Sequence, residues 1–173
     1  TNVTNLSSLA SWTADQFDPT LTWEDIAWIK DRWKGKLILK GIMDSEDAML
    51  AVKAGADAII ISNHGGRQLD GAPSTISVLP EIVDAVNSKV EVHFDGGVRS
   101  GQDVLKALAL GADCIHIGRP YVYGLGAKGQ EGVEIAIEII KKELDLTMAM
   151  CGETNISNVG LHNLHHNPFK IIN

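Results

Sequence analysis

Short apolar runs alternate with amphipathic segments along most of this chain. Four compact apolar runs predict strands, at 36–40, 57–62, 90–94 and 113–117. Apolar residues at helical spacing predict helices between them, at 22–33, 45–54, 75–87, 101–110 and about 130–150. Near-continuous apolar strands that alternate with helices are typical of a parallel sheet covered by helices.

The chain also matches itself at an offset of 56 residues, most clearly where Gly55-Ala56-Asp57 recurs as Gly111-Ala112-Asp113. Each copy ends a helix at a glycine and leads directly into a strand. Four such βα units are half of a (β/α)8 barrel, which typically needs about 250 residues. We therefore expect an α/β fold of the TIM-barrel family, with this chain as the C-terminal half of a longer protein. A free half barrel would leave two strand edges unpaired.

Composition narrows the class of protein. The formal net charge is −7 and no basic cluster with interleaved aromatic residues occurs, so a nucleic-acid partner is not expected. No apolar run approaches the roughly 18 residues of a spanning helix, and residues 1–20 lack the features of a signal peptide. Cys114 and Cys151 show no CxxC spacing, and Cys114 is expected in the core. A cytoplasmic location is the default expectation.

Two segments carry the candidate chemistry, and each follows a predicted strand. Ser62–Asp70 reads SNHGGRQLD and places a histidine three residues before an arginine. An imidazole can accept the proton of a hydroxyl, and a guanidinium can hold a carboxylate. Asp95–Gly101 reads DGGVRSG, in which a Gly-Gly turn, an arginine and a helix start suit a phosphate. Barrels carry their active sites at these strand ends.

Three further motifs accompany these segments: LKGI at 39–42, ALALGA at 107–112 and IGRP at 117–120. Together, in this order, the motifs resemble those of a known enzyme family. The chain resembles, nearly from end to end, the C-terminal half of the FMN-dependent α-hydroxy acid oxidases and dehydrogenases, a family that includes glycolate oxidase and L-lactate dehydrogenase. The resemblance implies FMN as cofactor and oxidation of an L-2-hydroxy acid to a 2-oxo acid. Oxygen, a quinone or a cytochrome would accept the electrons. It also implies a homotetramer, and membrane association of the parent protein stays open.

The resemblance assigns roles at the substrate end. His64 is the expected catalytic base and Arg67 the clamp on the substrate carboxylate. A salt bridge from Arg67 to Asp70 is the structural alternative. Lys40 is expected at the N1/C2-carbonyl edge of the flavin, where a cation stabilises charge on the reduced ring. Its alternative is a lysine that extends into solvent.

The remaining expected cofactor contacts run from the flavin ring to its phosphate. Ser62 is expected at the ring and Asp95 at the ribityl hydroxyls. The phosphate is expected to be surrounded by Gly96, Gly97, Val98, Arg99, Gly118 and Arg119. We expect His64 and Arg67 to face one cavity, with the arginines of the phosphate pocket a flavin's length away along the same rim.

Several other features have plainer interpretations. His93 and His116 are expected as packed or barrel-lining side chains and not as ligands. No metal is expected at the tail histidines His162, His165 and His166, because they lack metal spacing. The tryptophans are expected to pack the first helix: Trp12, Trp23, Trp28 and Trp33.

The resulting organisation is a single unit over residues 1–173. Residues 1–21 form a lid-like loop, 22–152 the βα units and 153–173 a tail. The half alone is expected to be inactive, since the other half of the barrel would supply further groups. Two alternatives stay open: a half barrel that only binds FMN, and another FMN barrel enzyme such as a type 2 isopentenyl diphosphate isomerase.

Overall fold

The computed structural model describes Trp12, Gln16 and residues 18–165. Within that part, parallel strands form one sheet in chain order: β1 (Ile38–Ile42), β2 (Ala58–Ile61), β3 (Glu91–Phe94) and β4 (Cys114–Ile115). The helices are α1 (Trp23–Arg32), α2 (Ser45–Lys53), α3 (Thr75–Val86), α4 (Gly101–Ala109) and α5 (Arg119–Met150). Short 3-10 turns lie at His64–Gly66, Ile156–Asn158 and Leu161–Asn163. This regular βα alternation confirms the predicted partial barrel.

Most elements lie within one or two residues of their predicted bounds, and two differ more in length. β4 is only two residues long, against the predicted 113–117. α5 begins at Arg119 rather than near 130, and its backbone leaves helical geometry at Lys128 and Gly129. Glycines concentrate in this first part of α5, and glycine disfavours helix, which hid the element from the sequence pattern. The structure uses Gly124 and Gly132 for close packing, because a Cβ on either would collide with the other's backbone.

The two faces of the sheet have different partners. Ile59 and Val92 pair in register and are fully buried against the helices. The next row, Lys40, Ile60 and His93, is also in register across three strands. Because successive strand residues point to opposite faces, this row lies on the face away from the helices. That face carries the candidate chemistry, and the helix face carries the hydrophobic core.

The aspartate of the internal repeat binds the start of one strand to its neighbour. Asp57 accepts a hydrogen bond from the Leu37 N–H through Oδ2 at 2.9 Å and donates its own N–H to the Leu37 oxygen at 2.8 Å. Asp113 forms the same pair of bonds with Val92, both at 2.8 Å. The repeat therefore specifies a strand-to-strand connection as well as a helix end.

Asp57 also forms ion pairs, whereas Asp113, its counterpart in the repeat, forms none within the described part of the chain. The Asp57 carboxylate pairs with Lys30 of α1 and with Lys36, the latter at 2.9 Å. The hydrogen bond from Lys30, followed by those from the Leu37 N–H and Lys36, holds the pKa of Asp57 well below its ordinary value. This carboxylate therefore connects α1 to the sheet.

The expected burial of the tryptophans around the first helix is wrong for three of them: Trp12, Trp28 and Trp33, each more than two-fifths exposed. Trp28 stacks under the Arg32 guanidinium at 4.6 Å, and Trp33 donates its indole N–H to the Lys36 oxygen. Trp23 contacts the core. Helix α1 buries none of its residues, so ionic contacts take the place of aromatic packing.

The predicted lid falls mostly outside the described residues, as does His166. The described tail forms two 3-10 turns, and Glu153 bonds to His162 and Asn163 there. Among the described residues, no helix combines the length and apolar character needed to cross a membrane.

Candidate functional site

A cavity of about 500 Å³ opens at the carboxyl ends of the strands. Every cofactor or substrate residue predicted from the sequence contributes to its lining except Ser62: Lys40, His64, Arg67, Asp95–Arg99, Gly118 and Arg119. The expected common cavity for His64 and Arg67 is therefore present. Its volume is in the range typical of small-molecule and cofactor sites, about 300–1,000 Å³.

The turn after β2 fixes the position of His64. The Asn63 side chain accepts a hydrogen bond from the Gly65 N–H at 3.1 Å, and its backbone oxygen accepts one from Gly66 at 2.9 Å. His64 has a φ of 55°, a left-handed conformation that is uncommon outside glycine. Its N–H donates to the Ser62 hydroxyl at 3.2 Å. Asn63 thus shapes the turn in which His64 has this unusual backbone conformation.

The His64 ring lies against the backbone of β1. A Cβ placed on Gly41 would come within 3.0 Å of the ring carbon Cε1. Gly41 also has a φ of 102°, which favours glycine. The imidazole is half-buried, with its remaining surface at the cavity.

Arg67 extends from the same turn and is exposed. Its Nε donates to the His64 backbone oxygen at 3.1 Å. Among the described residues Arg67 forms no ion pair with Asp70, whose carboxylate instead accepts from the Gly71 N–H. The alternative interpretation as a local salt bridge is therefore not what the structure shows. The bond through Nε leaves the two Nη groups to meet a carboxylate at the cavity.

A polar cluster of Lys40, Ser62 and Asp95 lies at the ends of the first three strands. The Lys40 ammonium donates to the Ser62 hydroxyl at 2.7 Å and lies 3.2 Å from an Asp95 carboxylate oxygen. Ser62 is 1% exposed and does not line the cavity. The hydroxyl thus contacts Lys40 and His64, and it can influence a cofactor only through them.

The Gly-Gly turn after β3 is held from beneath by α3. Gly96 has a φ of 97°, and its oxygen accepts from the Thr75 hydroxyl at 3.3 Å. A Cβ on Gly96 would lie 2.8 Å from that hydroxyl, whereas Gly97, with a φ of 82°, has open space. Val98 is buried in the core, so only its backbone faces the cavity. Sequence reasoning missed Thr75, since nothing local marks a residue 21 positions before its partner.

The start of α4 is satisfied by the protein's own carboxylates. Asp103 accepts hydrogen bonds from the N–H groups of Arg99 and Ser100 at 3.0 and 3.1 Å. The Gly101 N–H donates to Glu143 of α5 at 2.9 Å. The expectation that this helix start adds to phosphate binding is therefore not supported, because these donors are already paired. The Ser-x-x-Asp capping box was visible in the sequence and would have identified Asp103.

Arg119 lines the same cavity as Arg99 and Gly118 but reaches closer to the histidine turn than expected. Its Nη2 donates a hydrogen bond to the Gly65 oxygen at 2.7 Å. Gly65 has a left-handed φ of 70°, so its carbonyl is presented at a tight turn. A guanidinium carries five N–H donors and can serve this carbonyl and an anion together.

Burial lowers the pKa of His116, and the neighbouring His93 lowers it further. Asp95 opposes this effect, while Lys40 adds to it. His93 is itself buried, as expected for a packed side chain. Cys114, expected in the core, is only half-buried on the same face.

The lining fits an anionic cofactor such as FMN. Four cationic side chains border one cavity: Lys40, Arg67, Arg99 and Arg119. Gly97 leaves room for close approach to the backbone. Cations and open backbone N–H groups are what a phosphate requires.

Comparison with known proteins agrees with this chemistry. The family model described as FMN-dependent dehydrogenase matches residues 1–166. Mouse 2-hydroxyacid oxidase 1 is 49% identical over 165 residues, which cover 95% of this chain and 45% of the relative. L-lactate dehydrogenase of Stenotrophomonas maltophilia (strain R551-3) is 45% identical over 167 residues, or 96% of this chain and 44% of the relative.

Comparison with solved structures supports the same family. Mandelate oxidase with (S)-4-hydroxymandelic acid superposes with a TM-score of 0.85 at 45% identity, covering 89% of this chain and 43% of that one. The monotopic membrane protein (S)-mandelate dehydrogenase gives 0.86 at 38% identity, covering 95% and 43%. The chain thus spans less than half the length of the relatives it matches. With the family model matching residues 1–166, the chain belongs to the FMN-dependent dehydrogenase family.

Proposed function

We propose that this chain supplies the cofactor- and substrate-binding part of an FMN-dependent enzyme that oxidises an L-2-hydroxy acid to a 2-oxo acid. The observation that carries the proposal is the common cavity of His64, Arg67 and Lys40 with the Gly-Gly turn. The relatives named for 2-hydroxyacid, lactate and mandelate support the substrate class.

A 2-hydroxy acid carries a carboxylate and a hydroxyl on adjacent carbons, and one turn offers a partner for each. Arg67 binds the carboxylate through its guanidinium fork, which limits rotation of the substrate. His64 accepts the hydroxyl proton at a ring nitrogen while the alcohol carbon is oxidised. The hydrogen bond from Arg67 Nε to the His64 backbone oxygen keeps both groups on the same turn.

The cluster of Lys40, Ser62 and Asp95 serves the polar part of the cofactor. FMN supplies the two-electron oxidant when it is bound. Lys40 stabilises negative charge at the edge of the flavin, and Ser62 holds the lysine in place at 2.7 Å. Asp95 binds the ribityl hydroxyls and fixes Lys40 from its other side.

The phosphate is held by backbone and by guanidinium groups. Gly96 and Gly97 let the phosphate approach the backbone of the turn. Val98 contributes only its backbone, because its side chain is buried. Arg99 and Arg119 supply the positive charge, with Gly118 leaving space at the start of α5.

The complete protein requires the other part of the barrel, and we propose that it is a homotetramer in the cytoplasm. We propose that the substrate is a small acid of the lactate or glycolate class. Oxygen, a quinone or a cytochrome accepts the electrons.

Anaerobic mixing of the FMN-loaded complete barrel, this chain together with its other half, with L- and D-2-hydroxy acids tests the reaction. We expect bleaching of the flavin absorbance by an L-acid and not by its D-isomer. His64→Gln should slow bleaching by roughly 10²–10⁴-fold, the usual share of a general base, while FMN stays bound. His162→Gln is the control, since this histidine bonds to Glu153 and lies outside the cavity.

Two results would contradict the proposal. Bound flavin that no 2-hydroxy acid reduces, in protein containing the complete barrel, would favour a different FMN barrel enzyme such as an isomerase. Equal bleaching rates in His64→Gln and His162→Gln would remove the histidine from the mechanism. If FMN binds to the chain and bleaching appears only when the other half is added, the chain is a binding half of the enzyme.

A further inference from the structure

We propose that His93, Cys114 and His116 form a binding site for a transition-metal ion of the Zn²⁺ class. One ligand atom from each residue lies within 4.8 Å of the others. The site is on the sheet face away from the helices, and His116 also borders the cavity assigned to the cofactor. The sequence gives no metal spacing here; strand pairing creates the cluster.

The sheet register brings the three residues together. His93 of β3 is the direct partner of Cys114 of β4. His116 follows Cys114 by two residues, so both side chains lie on the same face. His93 is buried, and the other two are half-buried, which leaves the cluster shielded but accessible.

The separation of the two imidazoles suits a tetrahedral ion. His93 Nδ1 lies 3.1 Å from His116 Nε2. With zinc–nitrogen bonds of about 2.0–2.1 Å, two ligands of a tetrahedral site are roughly 3.3–3.4 Å apart. The two nitrogens therefore need to move apart only slightly to admit an ion between them. Cys114 Sγ lies within 4.8 Å of both nitrogens. Given a zinc–sulfur bond of about 2.3 Å, it needs to approach them by at most roughly 1.3 Å.

Glu91 contacts His93 on the side of the ring that faces away from the cluster. Its carboxylate lies 3.2 Å from His93 Nε2, the ring nitrogen that faces away from His116. A carboxylate that accepts the outer N–H of a histidine fixes the tautomer in which the inner nitrogen can bind a metal. One thiolate and two imidazoles are soft or borderline ligands, which favour Zn²⁺ over Mg²⁺ or Ca²⁺. Among the described residues no fourth ligand joins the group.

Thiol protection tests the site in the unaltered protein. The chain has one cysteine in the cluster and a second, Cys151, exposed at the end of α5. After chelation and dialysis, we expect Zn²⁺ to slow alkylation of Cys114 at least tenfold and to leave Cys151 unchanged, read by peptide mass spectrometry. Equal rates at Cys114 with and without Zn²⁺ would overturn the proposal and leave the His93–His116 contact as a hydrogen bond.

Cobalt titration gives a second, independent readout. Co²⁺ should bind once at this site with a thiolate charge-transfer band that Cys114→Ser abolishes. His116→Gln and His93→Gln should each weaken binding at least tenfold, and Glu91→Gln by about 10–100-fold as an outer-shell partner. His162→Gln is the control and should bind normally. A band that survives Cys114→Ser, or affinity unchanged in both His93→Gln and His116→Gln, would refute the site.

Discussion

The guanidinium of Arg119 donates a hydrogen bond to the backbone oxygen of Gly65, with Nη2 and O 2.7 Å apart. Arg119 opens α5, and Gly65 directly follows His64 in the turn after β2. The two residues are 54 positions apart in the chain. The arginine assigned to the phosphate therefore also supports the turn that carries the proposed base, and a change at one end of the cavity should affect the other.

Removal of the Arg119 guanidinium should weaken FMN binding more than riboflavin binding. A hydrogen bond to a charged group contributes roughly 1.5–3 kcal/mol, so Arg119→Gln should raise the FMN dissociation constant by about 10–100-fold. Riboflavin lacks the phosphate, and its affinity should change little. Fluorescence titration with both ligands measures the difference. An equal loss for the two flavins would assign Arg119 to the turn alone.

Substitution of Arg67 should damage substrate capture and leave the cofactor in place. Lysine retains the charge but cannot form the planar fork, so Arg67→Lys should lower kcat/KM for a 2-hydroxy acid by about 10–100-fold. Steady-state kinetics on the FMN-loaded protein measures this. Arg32→Lys is the control, because Arg32 is an exposed arginine that stacks on Trp28 of α1. A large loss of bound FMN in Arg67→Lys would contradict the assignment.

Two adjacent glycines provide a matched pair for stability. Gly96→Ala and Gly97→Ala both place a side chain at positive φ, which costs about 1–2 kcal/mol. Only at Gly96 would the new Cβ meet Thr75, at 2.8 Å from its hydroxyl. We expect Gly96→Ala to lose about 1–3 kcal/mol more than Gly97→Ala through overpacking. Urea unfolding measures both, and equal losses would show that Thr75 moves away freely.

Acid should loosen the connection between α1 and the sheet. The native pKa of Asp57 is held below its ordinary value of 3.8, with the Lys30 hydrogen bond as the largest cause. Its contribution to the free energy of unfolding is therefore complete above pH 3.8 and is lost as pH falls through the lower native pKa. Asp57→Asn should be less stable at neutral pH and should show a flatter decline below pH 4.

Asp113→Asn is the control for that experiment. Asp113 forms the same backbone bonds as Asp57 but pairs with no lysine among the described residues. Urea unfolding between pH 2 and 7 compares the variants. A decline below pH 4 as steep in Asp57→Asn as in the unaltered protein would show that other carboxylates dominate.

The sequence predicted the order of elements because each depends on local pattern. Period and length distinguished strands from helices, and the Gly-Ala-Asp repeat marked two helix ends. Errors arose where tertiary contact overrides local preference. The glycine-rich start of α5 is helical because Gly124 and Gly132 pack backbone against backbone. Trp28 of α1 stays exposed, while the ion pair between Lys30 and Asp57 connects that helix to the sheet.

Motif order also predicted the residues that line the cavity, but not what each of them contacts. Ser62 lies beneath Lys40, and the Val98 side chain belongs to the core. Arg119 reaches Gly65, which no spacing could indicate. A side chain's position along the chain limits which face it occupies, whereas its partner depends on distances between strands and loops.

The sequence by itself determined the βα alternation, the family resemblance and the residue types at the strand ends, because these are properties of local order. Only the tertiary structure decided that His93, Cys114 and His116 share one site. Their proximity follows from the pairing of β3 with β4, in which His93 lies opposite Cys114. Hydrogen bonding between parallel strands joins residues that are distant in sequence, and the pairing partner of a given residue is fixed only when the strands come together.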